Sequence, residues 1–180
     1  MKAIVIFESM FGNTQKVAEA VARGLSIGMQ VDLLEVGAAP DHIGDETNLI
    51  VVGAPTHAFG LSREGTRSQA AQQAGSGLVS KGRGVREWLA ELPKPTVTVA
   101  AASFDTRLAK PAWLKTAGTA GRAIEKRLRR LGLRTLAHAE SFVVGDVAGP
   151  LAAGELERAR QWGQSLASQF SSMDPKAQKS

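Results

Sequence analysis

Short apolar runs alternate along the chain with segments whose apolar residues recur at helical spacing. The apolar runs predict five strands, at Lys2–Ser9, Met29–Val36, Asn48–Ala54, Thr96–Ala102 and Arg134–Val144. Continuous runs rich in Ile and Val are typical of parallel strands that are buried on both faces. The alternation therefore predicts an α/β domain in which helices cover both faces of one parallel sheet.

Apolar residues three or four positions apart predict helices between these strands. The helices are expected at Asn13–Leu25, Val85–Leu92, Ala117–Leu131 and Gly154–Phe170. The last helix is expected to bury one stripe, formed by Leu156, Ala159, Trp162, Leu166 and Phe170. Glu64–Gly84 is rich in glycine and has few large apolar residues, so we interpret it as a long surface excursion.

The length of 180 residues and the hydrophobic content of 43% suit a single domain. We expect this domain at residues 1–172 and a polar tail at 173–180. The absence of cysteine excludes disulfides and thiolate metal sites, and the scattered histidines do not predict a metal site. Neither a secretory leader nor a membrane span is predicted, so we expect a cytoplasmic protein.

The formal net charge of +5 favours association with anionic partners. Much of the charge falls in the fourth predicted helix and just beyond it, at Arg122, Lys126, Arg127, Arg129, Arg130 and Arg134. This run is either a solvated helix face or a contact surface for an acidic protein or an anionic substrate. Nucleic acid is disfavoured, because no recognisable nucleic-acid module accompanies the charge. Gly118–Ala120 opens this helix and predicts either a cap by Thr116 or Thr119, or a second anion site.

The strongest chemical signal lies between the first strand and the first helix, at Ser9, Met10, Phe11, Gly12, Asn13 and Thr14. Exposed amides at the amino terminus of a helix favour an anion, and Gly12 permits a close backbone approach. The segment lacks the lysine of nucleoside triphosphate loops and the glycine pattern of dinucleotide sites. It therefore predicts a monophosphate site held by neutral donors. The alternative is a plain helix cap by Asn13 or Thr14.

A strand followed by Ser-x-x-Gly-Asn-Thr and a helix resembles the phosphate loop of the flavodoxin family, and the element pattern extends from Lys2 to about Ser171. The resemblance implies a flavodoxin-like, doubly wound, five-stranded parallel sheet with strand order 2-1-3-4-5, for which flavodoxin itself is the standard example. It also implies FMN as the cofactor, with its phosphate at Ser9–Thr14. Phe11 departs from the family pattern, because many flavodoxins have a hydroxyl residue at that position.

The resemblance further implies two loops that flank the flavin ring. The first follows the third strand and comprises Pro55, Thr56, His57, Ala58, Phe59 and Gly60. Thr56 is expected to donate to the ring or ribityl chain, and His57 or Phe59 to cover a ring face. For Phe59 the alternative is an ordinary position in the core.

The second flanking loop is expected after the fourth strand, at Ser103, Phe104, Asp105, Thr106 and Arg107. Phe104 is a candidate for stacking on the ring, and Arg107 for stabilising negative charge on the reduced flavin. The alternatives are a core position for Phe104, an ion pair for Arg107 and an Asx turn for Asp105. The chain has no tyrosine, so Trp88 and Trp113 are further candidates for covering the ring.

These features predict an FMN-binding redox protein that acts either in electron transfer or as an FMN-dependent oxidoreductase. As an enzyme it would be of the NAD(P)H, quinone or porphyrinogen type, and no residue is assigned a catalytic role. The partner would be a redox protein or a small electron acceptor. A deazaflavin-binding hydride-transfer protein and a non-redox scaffold that binds a protein are the alternatives, because fold does not imply function.

Overall fold

The computed structural model describes residues 1–57, 60–74, 77–109 and 118–173. Its strands in this part of the chain are Lys2–Phe7 (β1), Gln30–Glu35 (β2), Leu49–Pro55 (β3), Ala100–Leu108 (β4), Arg134–Thr135 (β5) and Glu140–Val144 (β6). Its α-helices are Asn13–Leu25 (α1), Glu64–Ala74 (α2), Val85–Glu91 (α3), Ala120–Arg130 (α4) and Glu155–Met173 (α5). None of these helices is both long enough and apolar enough to span a membrane.

All strands of the sheet run parallel, in the order β2-β1-β3-β4, and both β5 and β6 pair with β4. Ala100 and Ala101 pair with β5, whereas Phe104–Leu108 pair with β6. The two short strands thus share the fifth position of the sheet and are separated by residues 136–139. The predicted order 2-1-3-4-5 is confirmed, and its last strand is interrupted.

Helices cover both faces of the sheet, as predicted. On one face, α1 and α5 bury an apolar core, and on the other face α3 and α4 bury a second core around Trp88, Ile124 and Leu128. The expected stripe of the last helix is wrong at Leu156, which is 41% exposed. Burial along α5 starts at Ala159, because the helix packs against α1 from that turn onward.

The fourth strand was expected at Thr96–Ala102, but β4 occupies Ala100–Leu108. Ser103–Arg107 therefore lie in a strand and not in a loop, which corrects the second predicted flanking loop. Their polar side chains suggested a loop because the partners that satisfy them lie far along the chain. Ser103 Oγ donates to the Gly121 carbonyl at 3.0 Å, and Asp105 Oδ2 accepts from the Gly121 amide at 3.0 Å. The second bond takes the place of the Asx turn, which was the alternative for Asp105.

The segment Glu64–Gly84 is more ordered than a surface excursion, since its first half forms α2. Thr66 Oγ1 accepts from the amide of Arg63, the residue before this helix, at 2.8 Å. Ala70 and Leu78 pack against Met10 and partly buried Phe11 in a third apolar cluster. The helix was missed because it presents no apolar stripe. Residues 174–180 lie outside the described residues, so the division into a domain and a tail stays a prediction.

Candidate functional site

A cleft of about 280 Å³ lies at the carboxyl ends of the central strands. This volume is near the lower end of the range of ligand pockets, roughly 300–1,000 Å³. Its lining comes from the segment after β1, the end of β3, the end of β4 and the region of β6: Ser9, Met10, Phe11, Asn13, Thr14, Pro55, Thr56, His57, Thr106, Arg107, Leu108, Val144 and Val147. The structure thus brings together the predicted phosphate loop, the first three residues of the first flanking loop and the last two residues of the second. Gly60 and Ser103–Asp105 do not line this cleft. Ala58 and Phe59 lie outside the described residues.

The amino terminus of α1 opens into this cleft without a side-chain cap. Asn13 Nδ2 donates instead to the Ala148 carbonyl at 3.0 Å, and Thr14 Oγ1 lies 2.7 Å from Thr106 Oγ1. The alternative in which Asn13 or Thr14 caps α1 is therefore wrong. Gly12 adopts a φ of 84°, and no atom beyond its chain neighbours lies within 4 Å of the position that a Cβ would occupy. The first amides of α1 thus have no side-chain cap, and the positive end of the helix dipole lies at the cleft.

The amino terminus of α4 differs from that of α1, because protein side chains already accept from its first amides. Its first amides donate to three protein oxygens: Ala120 to Thr56 Oγ1 at 2.9 Å, Gly121 to Asp105 Oδ2 at 3.0 Å and Arg122 to Thr119 Oγ1 at 3.2 Å. The expected cap by Thr119 is confirmed, and the second anion site at Gly118–Ala120 is wrong because a carboxylate and two hydroxyls already fill it. Thr116 lies outside the described residues.

Val79 and Ser80, which the sequence pattern does not identify, hold the Ser9–Thr14 loop through hydrogen bonds. The Ser80 amide donates to the Ser9 carbonyl at 2.8 Å, and the Val79 amide donates to the Met10 carbonyl at 3.1 Å. Ser80 Oγ accepts from the Ser9 amide at 3.0 Å and donates to Glu35 Oε1 at 2.6 Å. These bonds hold the first residues of the loop in place. The only sequence signal was the apolar pair Leu78-Val79 within a polar stretch.

Two nitrogen-bearing side chains of the cleft lack hydrogen-bond partners at one atom each. Within the described part of the chain, His57 Nε2 and Arg107 Nε are buried and make no hydrogen bond. Burial lowers the pKa of His57, and the positive charge of Arg67 lowers it further, so this imidazole is neutral at pH 7. Arg107 Nε lies 3.8 Å from Asp105 Oδ1, which is a long ion pair. Each of these two nitrogens thus has an unused hydrogen-bonding position at the wall of the cleft.

The sequence profile of the flavodoxin family matches residues 5–163, which is most of the chain. The chain belongs to the flavodoxin family. Members of this family in general bind FMN and act in redox reactions. No curated protein sequence matches the chain.

Solved structures of flavodoxins share this fold. A flavodoxin from the domain Archaea is 18% identical, with a TM-score of 0.61 over 94% of this chain and 99% of the other. The Streptococcus pneumonia TIGR4 flavodoxin is 19% identical, with a TM-score of 0.62 over 93% of this chain and 99% of the other. The rubredoxin oxygen:oxidoreductase of Desulfovibrio gigas is 16% identical, with a TM-score of 0.62 over 95% of this chain but 36% of the other. The present chain thus spans about a third of the last protein.

The aromatic residues proposed to cover a flavin ring lie elsewhere or outside the described residues. The ring of Phe104 is 0% exposed and packs edge-on against Phe142 and Trp162, with centroid distances of 6.0 and 6.2 Å. Trp88 is also buried, and its Nε1 donates to the Pro40 carbonyl at 2.8 Å. Both belong to the apolar cores, so neither reaches the cleft. Phe59 and Trp113 are not among the described residues.

A buried carboxylate, Glu8, lies directly before the Ser9–Thr14 loop, and the sequence pattern alone predicts no role for it. Its side chain is 0% exposed, with Oε1 accepting from Ser62 Oγ and Oε2 accepting from the Val85 amide at 2.8 Å. The carboxylate therefore ties the end of β1 to the start of α3. Burial raises the pKa of Glu8 above its usual value of 4.5, because desolvation disfavours the charged form.

We expect Glu8→Gln to change how stability depends on pH. The folded protein holds the Glu8 proton more tightly than the unfolded chain does, so this group stabilises the fold most below pH 4.5. That contribution declines as pH rises from 4.5 through the raised pKa of the folded state. Urea denaturation of wild type and variant across this range measures the difference between their free energies of unfolding. The difference should move in favour of the variant as pH rises, and a difference independent of pH would contradict the expectation.

Proposed function

We propose that this chain is an FMN-binding redox protein that holds the FMN phosphate at the amino terminus of α1. One observation carries the proposal: α1 lacks a side-chain cap where it meets a ligand-sized cleft, whereas the first three amides of α4 all donate to protein side-chain oxygens. An uncapped helix terminus with open space above Gly12 suits an anion. Membership of the flavodoxin family supports the choice of FMN as the ligand that carries this anion.

The lining of the cleft fits the rest of such a ligand. The loop Ser9–Thr14 would hold the phosphate, while Thr56, His57 and Arg107 would contact the remainder. When bound, FMN supplies the electron-transfer chemistry, and the protein supplies binding and electrostatics. Arg107 places a positive charge in the cleft and so favours negative charge on a bound group. The apolar side chains Met10, Pro55, Leu108 and Val144 reduce the access of water.

The rim of the cleft supports electron exchange with a second protein. Leu108 and Val147 are 43% and 56% exposed, so two large apolar side chains face solvent beside the proposed cofactor. Protein interfaces have apolar centres, and electron transfer requires a partner close to the cofactor. As a carrier of this kind, the FMN-loaded protein should keep its flavin absorbance when it is mixed with NADPH alone. Rapid bleaching without a partner reductase would instead indicate an enzyme.

The phosphate assignment is tested by titrating the cofactor-free protein with FMN and with riboflavin, which lacks the phosphate. We expect FMN to bind roughly 100-fold more tightly, because two hydrogen bonds to a charged group contribute about 1.5 kcal/mol or more each. Quenching of flavin fluorescence measures both affinities. Equal affinities would overturn the assignment, and tighter binding of a deazaflavin with the same ribityl phosphate would favour the hydride-transfer alternative.

A further inference from the structure

Helix α4 carries an exposed, positively charged face. Four of its five cations are exposed and Arg127 is half-buried. We name the four exposed cations the basic face: Arg122, Lys126, Arg129 and Arg130. Side chains spaced by three, four or seven residues lie on the same side of a helix. The exposed imidazole of His138 lines the same shallow depression on the surface. The face therefore concentrates positive charge on one side of the molecule.

The basic face lacks the close carboxylate partners that the arginines of α5 have. In α5, Arg158 and Arg160 pair with glutamates of the preceding turn, at 2.7 and 2.6 Å. On the basic face, Arg129 makes a long contact of 3.9 Å with Glu125. The other three cations have no ion pair with any residue that the structure describes. Glu125 itself is engaged, because its Oε2 accepts from the Ala139 amide at 3.1 Å.

Stabilisation of the helix explains the positions of only some of these cations. Arg129 and Arg130 lie in the last turn of α4, where the helix dipole favours cations. Arg122 lies at the opposite end, where the dipole disfavours a cation, and no acidic residue occupies the first turn. The cations thus extend along the whole helix, including the end at which they oppose its dipole. Their distribution fits contact with an anionic surface better than stabilisation of the helix.

The basic face begins beside the cleft. The Ala120 amide at the start of α4 donates to Thr56 Oγ1, a residue of the cleft lining, at 2.9 Å. At about 1.5 Å per residue, the face extends on the order of 15 Å away from the cleft edge. The exposed apolar pair Leu108 and Val147 lies on the cleft rim. The combination of a charged flank and an apolar rim matches the usual composition of a protein interface.

We propose that the basic face docks an acidic protein surface next to the mouth of the cleft. Complementary charge would steer and orient such a partner, and the apolar rim would supply contact area at the centre. Single-stranded nucleic acid is the weaker candidate, because α4 contains no aromatic residue on which a base could stack. The docking surface does not depend on a bound flavin, so it can be tested without one.

The test compares two variants with the same change in net charge, using cofactor-free protein and a poly-L-glutamate peptide as the probe. Lys126→Glu/Arg130→Glu alters the basic face, whereas Arg23→Glu/Lys94→Glu alters exposed cations elsewhere. Calorimetry at low ionic strength should show that the first variant binds the peptide roughly tenfold more weakly than wild type, because each surface pair contributes up to about 1 kcal/mol. The second variant should bind almost as wild type does.

Two results would overturn the docking proposal. Equal weakening in both variants would show that the peptide responds to net charge alone. Tighter binding of a single-stranded oligonucleotide of matched charge, lost in the first variant, would assign the face to nucleic acid. FMN titration of the same two variants separates this proposal from the proposed function, because neither pair of substitutions touches the cleft lining. FMN affinity should equal that of wild type in both.

Discussion

Gly53→Ala is expected to destabilise the protein by about 3 kcal/mol or more, since overpacking a filled core forces side chains and backbone to move. Gly53 in β3 pairs with Phe104 in β4, and a Cβ at this glycine would lie 2.0 Å from Cζ of the Phe104 ring. The ring cannot move aside easily, because it is buried and packs edge-on against Phe142 and Trp162. Urea denaturation of wild type and variant measures the loss.

A double variant separates this overpacking from other effects of the substitution. Phe104→Leu alone should destabilise the protein by removing part of a buried ring. In the Gly53→Ala background, however, the same change should recover part of the lost stability, because a smaller side chain leaves room for the new methyl group. Additive losses in the double variant would mean that contact with Phe104 is not the cause.

Phe11→Asp is expected to weaken FMN binding by roughly 30-fold or more relative to Phe11→Asn, because it places a like charge beside the phosphate. Phe11 lines the cleft in the loop that we propose for the phosphate, so a carboxylate there would face the same anion. Asn has the same shape as Asp without the charge. Both variants lose the contact of the Phe11 ring with the third apolar cluster, so their comparison isolates electrostatics.

Riboflavin provides the control for this pair of variants. Without a phosphate there is no anion for the carboxylate to repel, so the Asp and Asn variants should bind riboflavin with similar affinity. Fluorescence titrations of all four combinations measure the coupling between the new charge and the phosphate. A loss of the same size for riboflavin would place the phosphate away from Phe11 and would contradict the proposed orientation.

Features encoded by neighbouring residues were predictable from the sequence. The bounds of α1, Asn13–Leu25, follow from its apolar spacing and are confirmed. The strand order follows from the alternation of strands and helices together with the flavodoxin resemblance, and it is confirmed as well. The loop between β1 and α1 was likewise visible, because Gly12 and its neighbours stand at a boundary between two strongly patterned elements.

Features that depend on distant partners were not predictable in this way. For Asp105 the alternative was an Asx turn, in which the carboxylate bonds to backbone two residues on, yet the amide that bonds to it lies 16 residues away in α4. Asn13 suggested a cap, but it bonds to Ala148, 135 residues away. In both cases the side chain joins two elements whose proximity only the folded sheet creates. Local pattern therefore drew attention to both residues and misassigned the hydrogen bonds of their side chains.

The bonds from Val79 and Ser80 to the Ser9–Thr14 loop bear on any attempt to transplant it. A designer who copied these six residues onto another scaffold would omit the segment that bonds to the Ser9 amide, the Ser9 carbonyl and the Met10 carbonyl. Glu35, which accepts from Ser80, would also be missing. The unit that would have to be transplanted is therefore discontinuous in sequence and comprises the loop, residues 78–80 and the end of β2.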